Sequence, residues 1–179
     1  MRITLFSIMT LLCTTTFAQS EWQEIQSYDG RFRILSPGPM LEKIDSIETP
    51  VGILAQHSFV YQPDNPKEAE NLIYMVSYYD YPEGTIPADS TDLIQAFFDE
   101  TIAAAAFSIN GKVQYADDVQ LGEHPGRIWR IDYLEGKAVV KTRAYLVGQR
   151  YFNVQTISLI QRHINSSSDR FLDSFRLFD

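Results

Sequence analysis

The sequence predicts an α+β domain, an antiparallel β-sheet of about seven strands sandwiched by helices. Three observations predict it. Short runs between Trp22 and Leu159 read as strands, with a clear period of two at Ile53–Tyr61. Short Gly-containing turns separate these runs, and tight turns join antiparallel neighbours. Two segments, one after Ser90 and one after Ser166, switch to helical spacing. One antiparallel sheet with helices packed on its faces is the simplest assembly of those parts.

The elements follow in order. Trp22–Tyr28 and Arg31–Leu35 flank Asp29-Gly30, a pair suited to a type I′ hairpin turn in which both central residues need positive φ. Ser36-Pro37-Gly38-Pro39 ends the second strand, because proline cannot donate to a ladder. Glu42–Glu48 is polar and reads as an edge strand, and Pro50-Val51-Gly52 turns the chain. Ile53, Ala55, His57, Phe59 and Tyr61 then form one dry face of the next strand. Leu72–Tyr81 is apolar on both faces, which places it centrally with a layer on each side.

The first helix is expected from Asp89 or Ser90 as its cap, with Asp92 at the positive end of the dipole. Ile94, Phe97, Phe98, Thr101, Ile102 and Ala105 form its stripe, and Asn110-Gly111 ends it with glycine in the left-handed position. Four further strands follow. Gly111–Val119 runs into a turn at Gly122–Gly126. Arg127–Leu134, Ala138–Val147 and Tyr151–Leu159 are joined at Glu135-Gly136 and Gly148-Gln149. The last helix begins near Ser166, paired with Asp169 as a capping box, and carries Phe171, Leu172, Phe175 and Phe178 as its stripe.

The N-terminus has its own character. Arg2, the apolar stretch Ile3–Leu12 and the small residues around Phe17 read as a secretory signal peptide over residues 1–18, leaving one domain over 19–179. The apolar stretch is shorter than the roughly 20 residues of a permanent span. The one cysteine, Cys13, falls inside the signal, so the processed chain has no thiol for catalysis, zinc binding or cross-linking. Lipid attachment at Cys13 is the rival reading, and the bulky Leu11-Leu12 before it argue against that. The expected location is secreted or periplasmic. Net charge is −8, and −9 once Arg2 leaves with the signal. An acidic surface repels phosphate backbones and anionic headgroups, which argues against nucleic acid as a partner.

Several segments resemble the PsbP-like superfamily. They are Arg31-Phe32-Arg33-Ile34-Leu35-Ser36-Pro37-Gly38, Gly126-Arg127, Arg143-Ala144-Tyr145-Leu146-Val147-Gly148 with Arg150-Tyr151, and Arg170-Phe171-Leu172-Asp173-Ser174-Phe175-Arg176-Leu177. The segments resemble secreted bacterial members in particular. The resemblance implies an antiparallel sheet between helices and a binding or assembly role, since the superfamily includes a photosystem subunit, a Ran-binding protein of the Mog type and the envelope protein DcrB. The matching segments are strand ends, turns and a core helix, so no functional residue transfers.

The motifs of catalysis are missing. His57, His124 and His163 have no metal-ligand spacing, and His57 reads as a core histidine on an apolar strand face, His124 as an exposed turn residue. There is no nucleophile elbow, phosphate loop, dinucleotide fingerprint or calcium loop. Asp117-Asp118, and Asp89 with Asp92, read as turn and cap acids. No cofactor is expected.

Two stretches are candidates for a partner surface. The first is Tyr79, Asp80 and Tyr81, aromatic residues at a strand end beside Pro82, since tyrosine suits interfaces. In the plainer reading Tyr78 and Tyr79 only cap the core on opposite faces. The second is Trp129 with Arg127 and Arg130. The alternative there is a core tryptophan with ion pairs to Asp132 or Glu135. The expectation is a non-catalytic binding protein of the cell envelope, with an envelope protein as partner. A binder of a small apolar ligand between sheet and helix is the second reading, and a hydrolase with an unrecognised site the third.

Overall fold

The computed structural model describes residues 22–86 and 90–178. The expected signal peptide and Asp89 lie outside the described residues. Ten strands and two α-helices follow one another as β1 Gln23–Ser27, β2 Phe32–Ser36, β3 Leu41–Thr49, β4 Gly52–Tyr61, β5 Ile73–Asp80, α1 Thr91–Ser108, β6 Lys112–Leu121, β7 His124–Tyr133, β8 Ala138–Val147, β9 Arg150–Leu159, α2 Ser166–Asp173 and β10 Arg176–Leu177. A short 3₁₀ turn, Ile160–Arg162, precedes α2.

Seven strands form one antiparallel sheet in the order β3-β4-β5-β9-β8-β7-β6. The strand predicted to be doubly apolar, β5, lies inside it between β4 and β9, and the polar β3 is an edge. The first two strands do not join this sheet. With β10 they make a separate sheet in the order β1-β2-β10. The large sheet is therefore covered by a helix on one face, and by a helix together with a small sheet on the other. This differs from a sheet flanked by helices alone, and the reason lies at the C-terminus. After α2 the backbone of Arg176 and Leu177 pairs with Arg33 and Phe32, which adds a third strand to the β1–β2 hairpin and satisfies backbone groups on the outer side of β2.

Each face has its own apolar cluster. On the small-sheet side Phe32, Ile34, Phe171, Leu172 and Phe175 pack onto Phe59, Tyr74, Val76, Tyr78, Tyr145, Phe152 and Val154. On the opposite side Phe98, Ile102 and Ala106 of α1 pack onto Trp129, Ile131, Ala144, Leu146 and Tyr151. Strand alternation sends Tyr145 to one cluster and its neighbours Ala144 and Leu146 to the other. The dry face expected for β4 holds at Phe59, which is buried, and fails at Ile53, which is 76% exposed. The β3–β4 hairpin extends past the layer that covers the sheet.

The helix ends show the local chemistry. Ser90 caps α1 by accepting from the Leu93 amide. At the other end the left-handed residue is Asn110 (φ 49°), with Gly111 following it. The amides of Asn110 and Gly111 donate to the carbonyls of Phe107 and Ala106 at 3.1 and 2.8 Å, the pair of bonds that closes a Schellman end. Gly111 is needed for space, because a Cβ there would press on Ile131. The cap of α2 is Asn165, one residue before the expected Ser166, and its side chain accepts from the Ser168 amide at 2.6 Å. The helix ends at Asp173, so Phe175 and Phe178 lie beyond it rather than on its stripe. Phe175 is still fully in the core.

Two turns also differ from expectation. In the β1–β2 loop the positive φ falls on Arg31 (53°) and not on the Asp29-Gly30 pair. Gly30 is there because a Cβ would lie 2.7–2.8 Å from the rings of Phe32 and Tyr78. Gly126 is not part of a turn. It is buried within β7, where a Cβ would strike the Ala144 carbonyl and the Tyr145 ring. Gly148 (φ 63°) does begin the two-residue β8–β9 turn expected of it.

Candidate functional site

Helix α1 covers only part of its side of the sheet. Beside it an open groove of about 590 Å³ runs between the helix, the end of β5 and the tip of the β3–β4 hairpin. Leu93, Ala96, Phe97, Glu100, Thr101 and Ala104 form the helical wall. Their spacing is one helical face, adjacent to the stripe of Phe98, Ile102 and Ala106 that enters the core. Helix α1 thus has an apolar surface wider than its packing uses. The opposite wall comes from Ile47, Glu48, Thr49, Pro50 and Val51, and the floor from Tyr79, Tyr81 and Ile86.

The aromatic floor is packed ring against ring. Tyr79 lies 5.1 Å from Tyr151 and 5.4 Å from Tyr81, and Tyr81 meets Phe97 edge-on at 5.7 Å. Burial raises the pKa of the Tyr79, Tyr81 and Tyr151 phenols above the usual tyrosine range. They are neutral at physiological pH and cannot serve there as bases. The Thr101 hydroxyl donates back to the Phe97 carbonyl at 2.7 Å, so it is already occupied. The groove therefore offers apolar and aromatic contact, with the carboxylates of Glu48 and Glu100 at its walls and no lysine or arginine among its lining residues.

A second, more polar depression of about 950 Å³ lies at the end of the sheet where the β1–β2 and β8–β9 turns meet, and Arg31, His124 and Arg150 line it. Arg150 is held on several sides. Its guanidinium donates to both Asp80 oxygens at 2.6 and 2.7 Å and to the Asp29 carbonyl at 2.8 Å, and it sits 4.7 Å over the Tyr78 ring. Gln149 donates to the Ile86 carbonyl at 2.8 Å and accepts from the Ile86 amide at 2.9 Å, which ties the segment before α1 to the β8–β9 turn.

The structure separates the candidate residues. Tyr79 and Tyr81 lie on the groove floor, while Asp80 points to the other side of β5 and pairs with Arg150. Tyr78 is buried in the small-sheet cluster. The second candidate surface does not form. Trp129 is 1% exposed under α1, and its indole N–H has no hydrogen-bond partner among the described residues. Arg127 bridges Asp118 and Asp99, and Arg130 pairs with Asp132 at 2.7 and 3.0 Å. Arg127 thus ties β7 to β6 and α1, while the Arg130–Asp132 pair lies within β7. The partner is Asp132, and Glu135 pairs with Lys137.

The histidines are likewise placed. His57 is half-buried and stacks on Tyr78 at 4.7 Å, with Glu42 3.5 Å from its Nδ1. His124 is the first residue of β7 and half-buried, not an exposed loop residue. The His163 ring nitrogen lies 2.6 Å from the Ile160 carbonyl. Among the described residues no imidazole is hydrogen-bonded to a serine or threonine hydroxyl. No three His, Cys, Asp or Glu side chains gather there as a metal site would need, and no helix is long and apolar enough to cross a membrane.

The residues that sequence reasoning missed are Ile47, Val51 and Leu93. Leu93 lies next to the core stripe, and Val51 sits in a turn. The available signal was the excess of apolar residues on α1, where Leu93, Ala96, Phe97 and Ala104 exceed what one buried stripe needs.

The fold can be matched to a solved structure. The solution structure of cyanobacterial PsbP (CyanoP) from Synechocystis sp. PCC 6803 aligns over 93% of this chain and 97% of that chain, with a TM-score of 0.58 and 12% identity. This chain has a PsbP-like fold. At that identity the likeness is one of architecture. No family model matches the sequence, and neither does any curated protein.

Proposed function

We propose that the chain is an exported, non-catalytic binding protein of the cell envelope, and that the groove beside α1 receives an apolar segment of a partner protein. One observation supports this most: the groove is walled by side chains that a monomer leaves half-used. Leu93 is 55% exposed and Val51 44% exposed, and they face a floor of mutually packed tyrosines. Water against such a surface is released when an apolar group enters, at about 25 cal/mol per Å². Aromatic floors also give large contact area with little side-chain entropy to lose.

The open form favours a segment of a larger partner over a small molecule, because pockets for small molecules bury most of their ligand. A small apolar ligand remains the second reading, since the volume falls within the usual range of about 300–1,000 Å³ for such sites. Export rests on the signal-like residues 1–18.

A photo-crosslinking residue placed at Leu93 tests the proposal, with the same residue at Phe107 as control. Phe107 is 89% exposed on α1, outside the groove. Irradiation with an envelope fraction should give an adduct from position 93 and none from position 107, and the cross-linked peptide should be apolar in sequence. Adducts from both positions, or from neither, would sink the idea. An adduct of small mass would replace the protein partner with the second reading.

A further inference from the structure

We infer that the partner segment binds as an added β-strand along the open edge of β3, and that it carries alternating apolar and positively charged residues. This rests on the groove reading above and extends it. The large sheet has two edges, β3 and β6. Strand β6 is blunted by an irregularity between Val113 and Tyr115, the kind of feature that discourages further pairing. Strand β3 has none. Its register with β4 runs unbroken from Leu41↔Val60 to Thr49↔Gly52, and its other side has no strand partner among the described residues. An edge of unbroken register with no strand on its outer side is a template for strand addition.

The edge and the groove are continuous. Ile47, Glu48 and Thr49 belong both to the end of β3 and to the groove wall. A strand laid against β3 would carry its next residues onto the tyrosine floor. Apolar anchors wait along the edge as well, since Leu41 is 70% exposed and Ile44 63% exposed.

Charge selects the occupant. Strand β3 carries Glu42 and Glu48 on one face and Asp45 with Leu41 and Ile47 on the other, against Lys43 alone, and Glu100 faces the same groove from α1, so an alternating strand sets its cations against Glu42 and Glu48 and its apolar residues beside Leu41 and Ile47. An alternating acidic segment would be repelled by Glu42 and Glu48, and a neutral one would gain the backbone bonds and apolar contacts without the charge attraction. Opposite charges on neighbouring strands attract, and like charges directly opposite repel. Charged edge residues ordinarily discourage pairing between two copies of the same chain. Here they do so while leaving the edge open to a basic partner.

The test uses the processed chain, isotope-labelled for amide NMR, and two short peptides of equal length. One alternates valine and lysine, the other valine and glutamate. The valine–lysine peptide should shift amides along Leu41–Thr49 and at the groove residues, and the valine–glutamate peptide should shift neither. The variant Glu42→Lys, Asp45→Lys, Glu48→Lys changes exposed or rim side chains and should keep its fold by circular dichroism. It should weaken the valine–lysine peptide by about tenfold or more, as expected for several exposed charge pairs acting together. Shifts in the groove without shifts along β3 would overturn the added strand and leave the groove reading standing. Equal binding of both peptides, or no effect of the triple variant, would overturn the charge selection. No shifts with either peptide would overturn the added strand, and the Leu93 adduct then decides separately whether the groove reading survives.

Discussion

Replacing Phe175 by alanine tests the packing of the C-terminal segment, on which the small sheet and α2 depend. Phe175 is 1% exposed and lies past the end of α2. Its ring meets three others: Phe32 at 5.6 Å, Phe152 at 5.4 Å and Tyr145 at 5.8 Å. It therefore joins the small sheet to strands β8 and β9 of the large one. Deleting a fully buried phenyl ring loses the transfer term and leaves a cavity whose walls cannot fully close, which costs about 3–5 kcal/mol. Its three aromatic contacts place this site at the middle of that range or above, taken as about 4 kcal/mol. With a urea slope of about 2 kcal/mol/M, the unfolding midpoint should fall by about 2 M. The matched control is Phe107→Ala, which deletes the same ring at an 89% exposed position and should change stability by less than about 0.5 kcal/mol. Urea titrations followed by far-ultraviolet circular dichroism would measure both. Equal small shifts for the two variants would refute the assignment of Phe175 to the core. If Phe175→Ala does not fold at all, Phe175→Leu gives a smaller loss that can still be ranked against the control.

Further consequences concern single sites. Gly126→Ala would push a methyl group into the Ala144 carbonyl and the Tyr145 ring, and should cost about 1–3 kcal/mol in a urea titration, whereas the expected-turn reading would have made it nearly neutral. Asn71 is fully buried and bonds Asn165 and the Tyr74 hydroxyl at 3.0 Å while accepting from Ser168 at 3.1 Å, so Asn71→Leu should cost about 2–3 kcal/mol and loosen the cap of α2, visible as faster amide exchange at Ser168. Burial raises the phenol pKa of Tyr74, Tyr79, Tyr145 and Tyr151 from the ordinary 10.0. The folded state thus holds these protons more tightly than the unfolded one. Their contribution is complete below about pH 10 and is lost as pH rises beyond it. A phenolate absorbance titration should show these tyrosines ionising late and together with unfolding, and early ionisation of all tyrosines in the folded chain would contradict the burial.

The positions of the strands, the central place of β5 and the edge place of β3 were legible because they depend on local alternation and polarity. Leu72–Tyr81 is apolar on both faces, and Glu42–Glu48 is polar. The site was legible only in part. Tyr79 and Tyr81 were visible as aromatic residues at a strand end, and they do line the groove. Trp129 beside two arginines was a candidate surface with a core tryptophan as its alternative, and the alternative agrees with the structure: Arg127 and Arg130 pair with Asp118 and Asp132 and the ring is buried. Alternation along β7 gives two faces and does not say which one a helix will cover.

The sequence by itself determined the local elements, since periodicity, caps and turn residues act within a few positions of one another. Only the tertiary structure decided that β1 and β2 leave the main sheet and that β2 pairs with Arg176 and Leu177, because that second pairing joins segments more than a hundred residues apart and is settled by burial. It also decided which apolar stripe of α1 is core and which is groove. Both satisfy the same helical spacing, and the choice depends on where Trp129 and Tyr151 stand beneath the helix.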